Sequence, residues 1–390
     1  MKIFFDNVLN PLAPTFLVLT FNFGSNIDSR GKKGLVHLVE HCLISSHPFS
    51  KNTNFFKWMD TNEINFDAIL EKENLFFTFE FMPEKYLLVI DFIKKMFSIK
   101  EISKEIFNKE KEIVQGEINQ NSLSELNLWR IKQDKIMFND SPLAYPEIGE
   151  IKDIKNIELK DVNLFISDIF SLSNASLVFF NGLTIKERIK SLLSNLKDKK
   201  LKIAKKPQQK LNFSLPKEKW VHCPFNFKNK FISINIYVAK TKDPIFDFLS
   251  QKFFFYNLQN ELFNYLRQEK ALIYSLNSID YFYLTLGGVL RFDLVYNKDF
   301  SILKKEIEKF FEVFEFSKKD FSLSQKIILE ELEKQPGSFW GILSAKILNY
   351  SGRFYKLNDW LLKIKQIDFK DLKNIFKKAL DSNLTIVYNG

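Results

Sequence analysis

Ile157-Glu158-Leu159-Lys160-Asp161 opens a helical stretch that leads into the apolar run Asn174-Ala175-Ser176-Leu177-Val178-Phe179-Phe180-Asn181-Gly182. The same figure returns as Ile367-Asp368-Phe369-Lys370-Asp371 followed by Asn383-Leu384-Thr385-Ile386-Val387-Tyr388-Asn389-Gly390. Each copy reads as helix, turn and buried strand ending in Asn-Gly. Repetition at this range implies two copies of one fold. Other segments pair in the same order. Phe16–Phe23 and Phe231–Val238 read as opening strands, and Asn74–Phe97 and Gly287–Phe314 each as strand, short turn and amphipathic helix. Glu112–Ile118 and Lys326–Leu332 read as helices with a glutamate before their last apolar residue. The expectation is an α+β protein of two similar half-domains, residues 1–196 and 220–390. The lysine-rich stretch 197–219, with Pro207 and Pro216, is the expected linker.

Composition supports this reading and excludes several classes. The 390 residues exceed the usual size of a single core, and 45% hydrophobic with 27% charged residues suits a soluble globular chain. The 43 phenylalanines, beside abundant Lys, Asn and Ile, read as core fillers from AT-rich codons. The net charge of +10 rests on scattered lysines, clustered near 197–206 and 304–309. No arginine-rich or aromatic-interleaved motif accompanies them, so no nucleic-acid partner is expected. Cys42 and Cys223 are the only cysteines, which implies no disulfide framework. The first residues lack a basic segment leading into a long apolar run, and Phe16–Phe23 is too short to span a bilayer. A cytoplasmic protein without a membrane partner is the expectation.

One pentapeptide stands out chemically. His37-Leu38-Val39-Glu40-His41 holds two of the four histidines in the chain. Residues at i and i+4 lie about 6 Å apart along one helix face, so both imidazoles can reach one metal ion. Glu40 shares that face. Zinc accepts neutral imidazole, and a neighbouring carboxylate can serve as general base. The pattern is the reverse of His-Glu-x-x-His. Read as ordinary packing, it would be an amphipathic helix burying Leu35, Leu38 and Val39 beside two satisfied histidines. Cys42 follows at once but points about 100° away, which suits packing better than ligation. The second half has no counterpart, so a metal site would occur once per chain. Two histidines need a third protein ligand, and a carboxylate from a second helix is the expected source.

Here the chain resembles the insulinase/pitrilysin family of zinc peptidases. In that family the third ligand is a glutamate some 75 residues beyond the motif, with another glutamate seven residues before it. Glu117 and Glu110 stand at those places in Asn108-Lys109-Glu110-Lys111-Glu112-Ile113-Val114-Gln115-Gly116-Glu117. Without the family they would be surface charges on a Lys/Glu helix. The resemblance implies that His37, His41 and Glu117 hold Zn²⁺, that Glu110 orients a ligand from behind, and that Glu40 is the general base. A second mark is Leu266-Arg267-Gln268-Glu269-Lys270-Ala271-Leu272-Ile273-Tyr274-Ser275. It resembles an element whose arginine holds the substrate backbone and whose tyrosine stabilises the oxyanion, roles that fall to Arg267 and Tyr274. Asn22-Phe23-Gly24-Ser25, Gly34, Ser141-Pro142-Leu143-Ala144-Tyr145-Pro146 and Gly149 also match in order.

The resemblance further implies mostly antiparallel sheets covered by helices, in a clamshell-type arrangement. Its short-chain branch includes mitochondrial processing peptidase-like subunits and bacterial peptidases. The implied activity is endopeptidase cleavage of unfolded peptides in an enclosed chamber, either leader trimming or general oligopeptide turnover. The chamber would form by homodimerisation or with a related subunit. A peptide-binding subunit without catalysis is the reading from another class. The chain departs from the family at Phe66-Asp67-Ala68-Ile69-Leu70, where an Asn-Ala-x-Thr-like strand is usual. An extended substrate is expected to add to that strand by β-pairing. The segment Cys42-Leu43-Ile44-Ser45-Ser46-His47 likewise lacks the usual Met and Gly-Thr pattern.

Overall fold

Two sheets of five strands share one topology. The computed structural model describes residues 1–6, 14–50, 55–139, 141–181, 186–187, 214–283, 285–334 and 339–389. Only 214–219 of the expected linker fall among these, and Gly182 and Gly390 lie outside them. The first sheet contains β1 (Lys2–Asp6), β2 (Thr15–Phe21), β3 (Asn65–Leu70), β4 (Leu75–Phe81) and β5 (Ala175–Phe180), in the order β1-β5-β2-β4-β3. The second contains β6 (Trp220–His222), β7 (Lys230–Ala239), β8 (Ile273–Tyr283), β9 (Gly287–Tyr296) and β10 (Leu384–Tyr388), in the order β6-β10-β7-β9-β8. Only β1–β5 and β6–β10 pair in parallel; the other neighbours are antiparallel. The expected repeat is therefore observed, with β2, β4 and β5 matched by β7, β9 and β10. The short strands β1 and β6 are additions that the sequence patterns did not single out.

Helices cover the sheets. In chain order they include α1 (Leu35–Ser45), α2 (Phe55–Thr61), α3 (Tyr86–Met96), α4 (Lys104–Asn121), α5 (Glu125–Phe138), α6 (Ile151–Asn156) and α7 (Leu159–Asp168). Then come α8 (Pro244–Phe263), α9 (Phe300–Val313), α10 (Lys318–Lys334), α11 (Phe339–Ser351), α12 (Leu357–Gln366) and α13 (Phe369–Ser382). Among the described residues no helix is long and apolar enough to cross a membrane.

The compact units cut across the sequence halves. One comprises Met1–Asn121, Tyr145–Lys210 and Gln335–Leu357; the other comprises Ser122–Ala144, Leu211–Lys334 and Asn358–Gly390. Helix α11, late in the chain, thus belongs with the first sheet, and α5, early in the chain, with the second. The burial of β2 gives the physical reason, since every one of its residues is buried. Alternation along a strand sends successive side chains to opposite faces. Leu17, Leu19 and Phe21 enter the core that includes Val39, Phe92 and Val162, from α1, α3 and α7. Phe16 and Val18 join Phe76, Val178 and Phe180 on the other face, which Ala345 and Leu348 of α11 cover. Gly341 lets α11 approach, because a Cβ there would stand 3.0 Å from the rings of Phe16 and Phe180. Asn349 Nδ2 then donates to Thr20 Oγ1 at 2.7 Å and to Asn74 Oδ1 at 2.8 Å.

The matching face of the second sheet is polar. Arg291 and Asp293 of β9 are fully buried, opposite Asn235 and Ser233 of β7. Helix α5 satisfies them: Arg130 Nε donates to Asp293 Oδ2 at 2.7 Å, and Asp134 pairs with Arg291. Trp129 Nε1 donates to Ser233 Oγ at 2.7 Å, and Arg291 Nε to Asn235 Oδ1 at 2.9 Å.

Candidate metal centre

Helix α1 is fixed at its start by a buried carboxyl. Asp28 Oδ2 accepts from the Gly34 N–H at 2.7 Å and Oδ1 from the Val36 N–H at 3.0 Å, which satisfies donors that a helix start leaves free. Burial pushes the Asp28 carboxyl up to about 7, against the opposing effect of these two hydrogen bonds. Gly34 has φ 91°, and a Cβ there would lie 2.7 Å from the Ile148 carbonyl oxygen. That left-handed conformation in a crowded spot requires glycine. Val36, Leu38, Val39, Cys42 and Leu43 then bury on the sheet side of α1. Cys42 is buried, as its packing role demands.

The opposite face carries His37, His41 and Ser45, each four residues from the next. Helix α4 presents Glu110, Val114 and Glu117 at the same kind of spacing, with Glu110 and Val114 buried. One ligand atom from each of His37, His41 and Glu117 lies within 4.8 Å of the others. Glu117 Oε2 is 3.6 Å from His41 Nε2 and 3.8 Å from His37 Nε2, too far for hydrogen bonds. Glu110 Oε2 stands 3.3 Å from His41 Nδ1, and Ser45 Oγ donates to Glu110 Oε1 at 2.7 Å. His41 is therefore held from behind through Nδ1 and offers Nε2 forward.

The electrostatics suit a metal. Burial, aided by His41, pushes His37 down to about 3, so its imidazole is neutral and free to ligate at neutral pH. Burial alone would lower His41 as well, but the Glu110 hydrogen bond and the Glu117 and Glu40 charges outweigh it and raise it. Burial pushes Glu40 up to about 7; His41 opposes this, while Asp67 and Glu117 add to it. Glu40 Oε2 and His37 Nδ1 are buried without a hydrogen-bond partner among the described residues. Two imidazoles and one carboxylate that converge without bonding one another form a donor set suited to zinc. The residues present fit that ion.

A cavity of about 660 Å³ opens in front of this set. Its lining includes Glu40, His41, Phe55, Phe66, Asp67 and Glu117. Asp67 and Ala68 lie on β3, an outer strand of the first sheet.

Arg267 and Tyr274 belong to the second unit, where the structure brings them to one another. Arg267 sits in the π-helical turn Asn264–Glu269 that ends α8, and its Nη1 donates to the Ile273 carbonyl at 3.3 Å. Its guanidinium carbon is 6.0 Å from the centroid of the Tyr274 ring, which is 72% exposed. In the same unit, Tyr256 of α8 hydrogen-bonds Glu331 of α10. Sequence reasoning passed over Ser45 and Asp28. The first could have been found from its place four residues beyond His41. The second carried no such signal, since its role depends on burial.

Residues 14–149 match the family model described as insulinase, peptidase family M16. Over the whole chain the fold is similar to that of a protease from Helicobacter pylori, at 18% identity and TM-score 0.81, covering 99% of this chain and 96% of that one. It is also similar to a peptidase M16 inactive domain from Pseudomonas fluorescens, at 14% identity and TM-score 0.80, covering 100% and 95%. A chain of complex III2 from Candida albicans, with Inz-5 bound, is similar at 15% identity and TM-score 0.74, covering 100% and 93%. No curated protein matches the sequence.

Proposed function

We propose, for a chain whose residues 14–149 belong to the insulinase family and whose whole length carries an M16-like fold, the activity of a zinc-dependent endopeptidase on unfolded peptides. The observation that carries this reading is the convergence of His37, His41 and Glu117 beside the buried, unpartnered Glu40 Oε2. His37, His41 and Glu117 would hold the ion, and Glu110, braced by Ser45, would keep His41 oriented. Zinc, when bound, supplies Lewis acidity that polarises a peptide carbonyl and acidifies water. Glu40 takes a proton from the attacking water and returns it to the leaving amine. By resemblance to the family, Arg267 would hold substrate backbone and Tyr274 would act as an oxyanion donor. An extended peptide pairs along β3, which is an outer strand.

Maturation of a precursor peptide by leader removal is the role we favour, with general oligopeptide turnover as the competing one. Cleavage of many unrelated unfolded peptides would decide for turnover. The working assembly in this reading is a pair of chains, two copies or one copy with a related subunit. The fold by itself does not decide activity, since both a protease and an inactive domain share it. A non-catalytic peptide-binding subunit is therefore the second reading, and the complete ligand set with its base speaks against it.

The decisive experiment is Glu40→Gln. The variant should keep its zinc, measured by elemental analysis, while peptide hydrolysis falls about a thousandfold. Substantial turnover by the zinc-replete variant would remove Glu40 from the role of base.

A further inference from the structure

The carboxylates around the cavity differ in what each has to do. Glu117 converges with the two histidines. Glu110 is bonded to Ser45 and His41, and Lys109 Nζ lies 3.9 Å from its Oε1. Glu40 is buried, with Oε2 unpartnered among the described residues. Asp67 is left over. It is exposed, no cation pairs with it among the described residues, and its Oδ1 accepts only the N–H of the next residue, Ala68, at 2.9 Å. It stands on β3 at the cavity, and its charge reaches Glu40, whose ionisation it opposes.

The surroundings narrow what Asp67 could recognise. Phe55, Phe56, Phe66 and Ile113 give the cavity an apolar and aromatic wall. Such a wall accommodates the methylene stem of a long side chain and attracts a cation over a ring face. His41 and Lys109 are the basic residues of the lining, against the four carboxylates of Glu40, Asp67, Glu110 and Glu117. Even a divalent ion in the ligand set leaves the lining short of positive charge near Asp67. An acidic side chain entering here would meet like charge, and a purely apolar one would leave Asp67 unanswered.

We infer that Asp67 is a specificity determinant selecting peptides with a cationic side chain, arginine or lysine, next to the bond that is cut. This rests on the peptidase reading above for the position of that bond. A charge on an outer strand can also serve merely to prevent edge-to-edge pairing. That role would be indifferent to the substrate side chain, so substrate preference separates the two.

The test uses zinc-loaded, full-length protein and quenched-fluorescent peptides identical except at the residue flanking the cut, where Arg, Lys, norleucine or Glu is placed. Cleavage sites are mapped by mass spectrometry. Wild-type kcat/KM should favour Arg and Lys over norleucine about fivefold, with Glu the poorest. Asp67→Asn should erase the cationic preference, and Asp67→Lys should turn it toward Glu. Binding of the same peptides to Glu40→Gln protein, read by fluorescence anisotropy, should rank them in the same order. Cleavage with no preference for Arg or Lys, or a preference unchanged in Asp67→Asn, overturns the inference while leaving the peptidase reading intact. Binding in the expected order with no cleavage by wild type would instead sink the peptidase reading and support Asp67 as a recognition residue.

Discussion

The two units have the same strand order, and their helices α4 and α10 each carry a glutamate before an apolar residue, Glu117 before Ile118 and Glu331 before Leu332. In the first unit that glutamate meets His37 and His41 from α1. In the second it accepts a hydrogen bond from Tyr256 of α8. The fold therefore forms perfectly well with an ordinary side-chain hydrogen bond at this place. Two histidines and a buried Glu40, its Oε2 unpartnered among the described residues, are surplus to folding, and burying such groups is unfavourable on its own. Groups retained at a cost to stability in one copy, and absent from the other, point to chemistry rather than architecture. The units also differ on the far face of each sheet. The first is closed there by Phe16, Val18, Phe180 and α11, the second by Arg291, Asp293 and α5.

The largest effect should come from breaking that polar face. Arg291→Ala removes the buried ion pair to Asp134 and the hydrogen bond to Asn235 Oδ1, and should lower the protection of α5 and β9 by about 3–5 kcal/mol in native-state hydrogen exchange. A loss below about 1 kcal/mol would mean that the buried pair is not what holds α5 to its sheet. Next comes the carboxylate comparison itself. Glu117→Ala should weaken zinc affinity about a hundredfold in a chelator competition, whereas Glu331→Ala should leave it unchanged. Full zinc occupancy in Glu117→Ala at limiting metal would show that a different carboxylate is the ligand. A smaller change is expected at the brace. Ser45→Ala should weaken zinc binding about tenfold and Ser45→Thr should restore most of it, since the threonine hydroxyl can still reach Glu110. Equal loss in both variants would point to disturbed packing at the end of α1 rather than to the hydroxyl.

The parts visible in the sequence were those governed by spacing. Histidines one turn apart, and a glutamate at a family-specified distance, are local or one-dimensional facts, so the resemblance to insulinase-type peptidases and the repeated α+β halves could be read directly. The exchange of α5 and α11 between the units could not. Helix α5 mixes Trp129 with Arg130, Gln133 and Asp134, residues that would suit a solvated helix equally well. Arg291 and Asp293 sit on a strand where charge normally argues for exposure, yet both are buried because each meets a charged partner from a helix more than 150 positions earlier in sequence. Only tertiary contact reveals such a pair. Ser45 illustrates a milder limit, because a polar residue at a helix end reads first as a cap.

The exchange also sets the timing of synthesis. As the chain leaves the ribosome, β2, β4 and β5 are complete by residue 180, but Phe16, Val18, Phe76, Val178 and Phe180 remain uncovered until Ala345 and Leu348 have emerged. The unit with the histidine-glutamate set cannot close early as a nascent domain, because α11, which covers its sheet, is among the last helices translated. An incomplete product truncated before residue 339 would carry every residue of the histidine-glutamate set, but would lack Ala345 and Leu348, which cover the apolar face. Such a product would expose apolar surface that the full chain buries, so it would aggregate more readily than the full chain.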